Sequence, residues 1–93
     1  MSYKLSLSDK ARNKLKHLDR QNATRILRKL TWLAENAAQI EHERLKNPPV
    51  GMEGVCKYRI GPYRGVYWVD HEEETIAMVG IVWRKGGYKE LYR

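Results

Sequence analysis

The residues best equipped for chemistry in this sequence are cations and phenols gathered in its second half. Lys57 and Arg59 stand two apart in an alternating stretch, Arg64 follows a Gly-Pro turn, and Arg84 and Lys85 follow a long apolar run. Tyr88, Lys89, Tyr92 and Arg93 come last. Strand alternation puts Val55, Lys57 and Arg59 on one face and Cys56, Tyr58 and Ile60 on the other. Strand ends in a meander return to neighbouring positions, so these cations are expected to converge on one open sheet face. Such a set suits RNA, because cations neutralise phosphates and release counterions, while Tyr and Arg planes stack on unpaired bases. The plainer reading is that Lys57, Arg59 and Arg64 only solubilise an exposed face.

Other chemistries lack their parts. A zinc site needs several Cys or His ligands at suitable spacing; His17, His42 and His71 are scattered and Cys56 is solitary. No metal or other cofactor is therefore expected. Gly86-Gly87 precedes no helix and lacks the Lys-Ser/Thr pair of a phosphate-binding loop. Cys56 lies inside an alternating strand and reads as a small buried side chain, since a nucleophile would need a base beside it. His17 falls in a basic helix and His42 in a polar stretch, so both are expected to be solvated.

Composition agrees with a polyanionic partner. Eighteen Lys/Arg against 11 Asp/Glu give a net charge of +7 on 93 residues, a field that favours nucleic acid. There is no Phe, so three Trp and six Tyr supply the large side chains. One domain spanning 1–93 is expected, with a thin core to which a partner would add buried area. The single cysteine permits no intrachain disulfide and suits a reducing compartment. No apolar run has membrane-spanning length and no signal-peptide core is visible, so the expected location is the cytoplasm, with no membrane partner.

The elements that must position these residues follow from periodicity. Tyr3 to Ser8 alternates like a half-buried strand, and Ser8 and Asp9 offer a helix N-cap. Ala11, Leu15 and Leu18 then recur at helical spacing. Asn22 is the expected cap of a longer second helix, whose apolar stripe is Ile26, Leu27, Leu30, Leu33, Ala34 and Ala37. Glu41 to Arg44 are read as a possible extension of it, and Asn47-Pro48-Pro49 must end it. Strands are expected over Val55–Ile60, Tyr63–Val69 and Ile76–Trp83, the last apolar enough to be central. The expected fold class is α+β: an N-terminal strand, an antiparallel helical hairpin, and a three-stranded meander forming a twisted antiparallel sheet with the helices on one face.

The stretch from Leu45-Lys46 through Gly51-Met52-Glu53-Gly54 to Val55–Tyr67 resembles the RelE/ParE superfamily of bacterial type II toxin–antitoxin toxins. It carries a basic Leu-Lys approach, a small-residue loop and an R-I-G-x-Y-R-x-x-Y-like hairpin, with an acidic turn after it. Val79 to Arg84 and Glu90 to Arg93 resemble the family's closing pattern, and the likeness extends over essentially the whole chain. It implies a microbial-RNase-like fold and, for RelE-like members, metal-independent endoribonuclease activity on mRNA in the ribosomal A site, through attack of the ribose 2′-hydroxyl on the adjacent phosphate. By position, the resemblance gives Arg64 the charge building on the phosphate. Lys57 and Arg59 would bind RNA and favour deprotonation of the 2′-hydroxyl, Arg84 would assist the leaving oxygen, and Tyr92 would stack on a base and share in proton transfer. Lys46, Trp83, Lys85, Tyr88 and Lys89 are the accompanying RNA-binding candidates.

The sequence departs from the family in three places. Trp83 stands where many members have His, Lys85 to Tyr88 look inserted so that Tyr88 rivals Tyr92, and the C-terminal helix of some RelE toxins is not expected after Arg93. The partners implied are a cognate antitoxin, the ribosome and mRNA. The same fold also serves ParE-like inhibitors of DNA gyrase without nuclease activity, and a non-catalytic RNA- or ribosome-binding module is a third possibility.

Overall fold

The computed structural model describes residues 2–85 and Leu91. In chain order the elements are β1 (Lys4–Leu7), α1 (Asp9–His17), α2 (Arg20–Asn36), β2 (Cys56–Ile60), β3 (Tyr63–Asp70) and β4 (Thr75–Trp83). Ser8 caps α1 as its residue type predicts: its Oγ accepts from the Ala11 N–H at 3.1 Å and donates to the Val79 carbonyl at 2.5 Å. One hydroxyl therefore starts the helix and ties it to the sheet.

The second helix begins earlier than its expected cap. Asp19 takes that role, accepting from the Asn22 backbone at 3.3 Å and its side-chain amide at 2.6 Å. The buried stripe is Ile26, Leu30, Leu33 and Ala34, whereas Leu27 is 42% exposed, on the flank of the helix. Glu41 to Arg44 do not extend α2, which ends at Asn36. They run instead along the outer edge of β2, where Arg44 bridges Cys56. The Leu45 N–H donates to the Val55 carbonyl and the Lys57 N–H to the Glu43 carbonyl, both at 2.9 Å. An edge strand leaves a row of unpaired backbone groups, and this segment satisfies some of them.

The sheet order is β1-β4-β3-β2. β2–β3 and β3–β4 are antiparallel, as expected of a meander. β1 pairs with β4 in parallel, so the sheet is mixed and not antiparallel throughout. The reason is directional: the helical hairpin is a crossover that brings the chain back along its first direction, and the β2–β3 hairpin returns β4 to that direction again. β4 is thereby central, in keeping with its apolar run.

The helices cover one sheet face. Leu30, Leu33, Ala34 and Ile26 pack there with Cys56, Ile60, Tyr63, Tyr67, Ile76, Met78 and Ile81. A second, smaller cluster lies on the opposite face, where Leu45, Val55, Val66 and Val82 meet Met52, Val79 and Leu91. That face is therefore partly roofed by the 45–52 loop and by Leu91, not fully open.

Candidate nucleic-acid interface

Register places the strand cations. Arg59 is opposite Arg64, which is opposite Val82; one dyad further along, Lys57 is opposite Val66, which is opposite Gly80. Residues paired across a sheet share a face, so Lys57, Arg59 and Arg64 rise together around an apolar floor of Val66 and Val82. Directly opposed Cα atoms lie about 5 Å apart, and Lys57 stands roughly 7 Å along the strand from Arg59. Lys57 Nζ also reaches Glu43 Oε1 at 3.7 Å, a loose pair with the glutamate largely in solvent.

Arg84 follows a strand whose faces are set by an irregularity. Val66 pairs with Gly80 but Tyr67 pairs with Met78, so Val79 is one residue extra in β4. A bulge of this kind shifts the alternation by one. Without it, even-numbered positions after Ile76 and Met78 would all face the helices, Arg84 included. With it, Ile81 and Trp83 turn to the helix side and Val82 to the side of Arg64, with Arg84 following in a bend just past the strand end. The Arg84 N–H donates to the Pro62 carbonyl at 2.9 Å, which fixes the chain beside the β2–β3 turn.

The remaining candidates divide. Trp83 lies across the sheet from the cations, its ring 4.6 Å from that of Tyr63. Lys85 is exposed directly after Arg84, and Lys46 is exposed next to Leu45, which belongs to the cluster beneath the cation face. Tyr88, Lys89, Tyr92 and Arg93 lie outside the described residues.

Trp68 is an aromatic on this face that spacing alone did not single out. It is 38% exposed and opposes Ala77, two residues beyond Val66 on β3, with its ring over Gly54. The signal was available: Arg64, Val66 and Trp68 have the same parity in one strand. Two guanidinium groups on directly opposed positions can together engage one anion placed between or above them. A phosphodiester held there, with a base on Trp68 about 13 Å along the strand, matches the dimensions of single-stranded nucleic acid.

The helix side of the sheet carries a second polar group of residues. His42 was expected in solvent, yet it is half-buried: its Nε2 lies 2.8 Å from the Ala37 carbonyl and its Nδ1 2.6 Å from the Tyr67 hydroxyl. A carbonyl only accepts, so Nε2 carries the proton, and in the neutral ring Tyr67 donates to Nδ1. His71 stands 5.6 Å from His42, ring to ring, and its Nδ1 is 2.7 Å from the Tyr3 hydroxyl. Burial pushes the Tyr67 phenol well above its ordinary range, with the nearby Cys56, Tyr58 and Glu43 adding to the effect. Burial likewise raises the Cys56 thiol, against a smaller opposing pull from Arg44. These two groups stay protonated and serve as structure, as the strand position of Cys56 implies. Among the described residues no three His, Cys, Asp or Glu side chains gather as metal ligands, and no helix is long and apolar enough to cross a membrane.

A family model for the ParE toxin of type II toxin–antitoxin systems, parDE, matches residues 5–86. Solved structures share the fold at low sequence identity. The toxin–antitoxin complex RelBE2 from Mycobacterium tuberculosis superposes with a TM-score of 0.75 at 20% identity, covering 90% of this chain and 93% of that one. A mutant of the E. coli toxin RelE in the free state gives 0.69 at 22% identity, covering 99% and 92%. The archaeal RelE–RelB complex from Pyrococcus horikoshii gives 0.68 at 20% identity, covering 90% and 97%. No curated protein sequence matches.

Proposed function

The chain belongs to the ParE toxin family of type II toxin–antitoxin systems, within the RelE/ParE superfamily, and we propose that it acts on RNA as a RelE-like, ribosome-dependent endoribonuclease. The observation that carries this reading is the register pair Arg59–Arg64 on a face shared with Lys57. Two opposed guanidinium groups around an apolar floor suit a phosphodiester far better than a protein surface, because each planar fork matches a pair of phosphate oxygens.

In the proposed reaction the 2′-oxygen forms a bond to the adjacent phosphorus and the bond from phosphorus to the 5′-oxygen breaks. The products are a 2′,3′-cyclic phosphate and a 5′-hydroxyl end. The 2′-proton passes to a base and the departing 5′-oxygen takes up a proton. Arg64 and Arg59 stabilise the charge that builds on the non-bridging oxygens, the role for which a permanently charged side chain is suited. The proposed roles of Lys57 are to bind RNA and favour loss of the 2′-proton, and that of Arg84 is to offset charge on the leaving oxygen. Tyr92 is the proposed stacking and proton-transfer residue, with Tyr88 its rival. Lys46, Lys85 and Lys89 extend the positive track for the strand. No metal or cofactor takes part in this scheme.

The chain is proposed to work as one cytoplasmic domain held in check by an antitoxin. Two of the similar structures are toxin–antitoxin complexes, and an acidic antitoxin segment would compete with RNA for the same cations.

The matching family model is one of ParE toxins, which supports a second reading: the ParE-like inhibition of DNA gyrase without nuclease chemistry that the resemblance also implies. Primer extension on mRNA in a translating extract separates the two. Codon-phased cuts that require ribosomes support the RelE-like reading. Intact mRNA combined with loss of supercoiling activity supports the gyrase reading and overturns the first.

A further inference from the structure

We propose that the outer side of α2 is a second RNA-binding surface, one that grips the backbone of a folded RNA while the sheet face addresses the strand. It goes beyond the nuclease reading and does not depend on it, since it rests on residues on the far side of the sheet from Arg59 and Arg64.

α2 buries one stripe against the sheet, Ile26, Leu30, Leu33 and Ala34. Its other side is cationic. Arg20, Arg25, Arg28 and Lys29, with Gln21 and Thr24, line a shallow depression of about 700 Å³. A second depression of about 380 Å³ adjoins it and is lined by Arg28, Lys29, Trp32 and Tyr58. The two share Arg28 and Lys29, so they form one continuous track from Arg20 to Trp32, roughly 18 Å along the helix axis. No carboxylate lines either depression; Asp19 is engaged by Asn22 at the cap, and Glu35 bounds the track one turn beyond Trp32.

Two features select RNA over an acidic protein. Arg25, Arg28 and Lys29 sit at i, i+3 and i+4, neighbours on a helix surface, where like charges repel by a few tenths of a kcal/mol per pair. A row of phosphates relieves that repulsion with several closely spaced anions at once, and the positive end of the α2 dipole adds to the attraction at Arg20. The track also ends in an aromatic platform: Trp32 and Tyr58 stack at 6.4 Å with planes 8° apart, and Trp32 is 46% exposed. A flat ring beside cations offers a stacking surface for an unpaired base flanking a helical stem. A carboxylate-rich peptide would use the cations and leave the ring idle.

The test is binding of a fluorescein-labelled RNA hairpin with a single-stranded flank, followed by anisotropy between about 50 and 200 mM salt. Glutamine is a good helix former, so Arg25→Gln/Arg28→Gln/Lys29→Gln retains the helix, checked by circular dichroism. The expected result is affinity at least about tenfold weaker at low salt, with the log–log salt slope shallower by about two to three units. Trp32→Ala is expected to weaken binding about fivefold or more with the slope unchanged. Unchanged affinity and slope in the triple variant, or a labelled polyglutamate peptide bound as tightly as the hairpin, overturns the proposal. Cleavage is not read in this assay, so failure of the nuclease reading leaves its outcome intact.

Discussion

Arg59 on β2 and Arg64 on β3 are register partners, so two guanidinium groups leave the same sheet face from opposed positions. One anion bridging them would engage both guanidinium forks at once. Arg64→Ala is therefore expected to lower single-turnover mRNA cleavage on programmed ribosomes by about 10²- to 10³-fold, the usual loss when one preorganised charge stabiliser is removed. Growth arrest disappears with it, while antitoxin binding is largely kept. Thermal stability changes by no more than about 0.5 kcal/mol, as for most surface substitutions. A fully toxic Arg64→Ala variant sinks the assignment.

Trp68 shares that face, and its proposed role is to hold a base. Trp68→Ala is expected to weaken binding of single-stranded RNA about 5- to 100-fold, corresponding to the loss of one stacked base. Trp68→Tyr, which keeps an aromatic plane, restores most of it. Equal affinities for the three proteins in a fluorescence titration would remove Trp68 from the interface.

The hydrogen bond from Tyr67 to His42 Nδ1, at 2.6 Å, ties the segment after α2 to the core beneath β3. Tyr67→Phe removes the donor and leaves the ring nitrogen unpartnered in a half-buried site, at a cost of about 1–3 kcal/mol. The unfolding midpoint in urea measures this. A variant as stable as the parent would mean that water replaces the phenol at no cost.

Burial raises Tyr67 above its ordinary value of 10.0 and Cys56 above its ordinary 9.0. An unfolded chain then releases these protons at lower pH than the folded one, so over that interval the native state binds more protons and stability declines as pH rises. Below about pH 9 the two groups make no pH-dependent contribution. Above it the decline begins with Cys56, and Cys56→Ala moves its onset toward the Tyr67 range. Urea midpoints for parent and variant from about pH 8 to 10.5 check this: the parent's midpoint must fall more steeply with pH than the variant's.

The parts of the molecule governed by local rules were legible in the sequence. Ser8 caps α1 because a hydroxyl before a helical apolar period can hardly do otherwise, and β4 is central because its run is apolar on both faces. The face shared by Lys57 and Arg59 followed from a period of two. The misreadings arose where two local solutions compete. Asp19 and Asn22 can both cap, and the carboxylate took the role; Leu27 fits an apolar stripe and lies just off its buried arc. His42 gave no signal because its partner Tyr67 is 25 residues away. The bulge at Val79 was likewise invisible, since an extra apolar residue in an apolar run leaves no mark, yet it decides that Val82 and Trp83 point to the faces they do.

The parallel pairing of β1 with β4 has a bearing on biosynthesis. Lys4 to Leu7 align with Thr75 to Met78, so the first strand finds its place only once residues 75–78 have been made. Contacts so remote in sequence form late, and domains assemble during synthesis only as their segments emerge. A chain that stops short of β4 thus has β1 without its partner and Arg59 and Arg64 without the Val82 side of their floor.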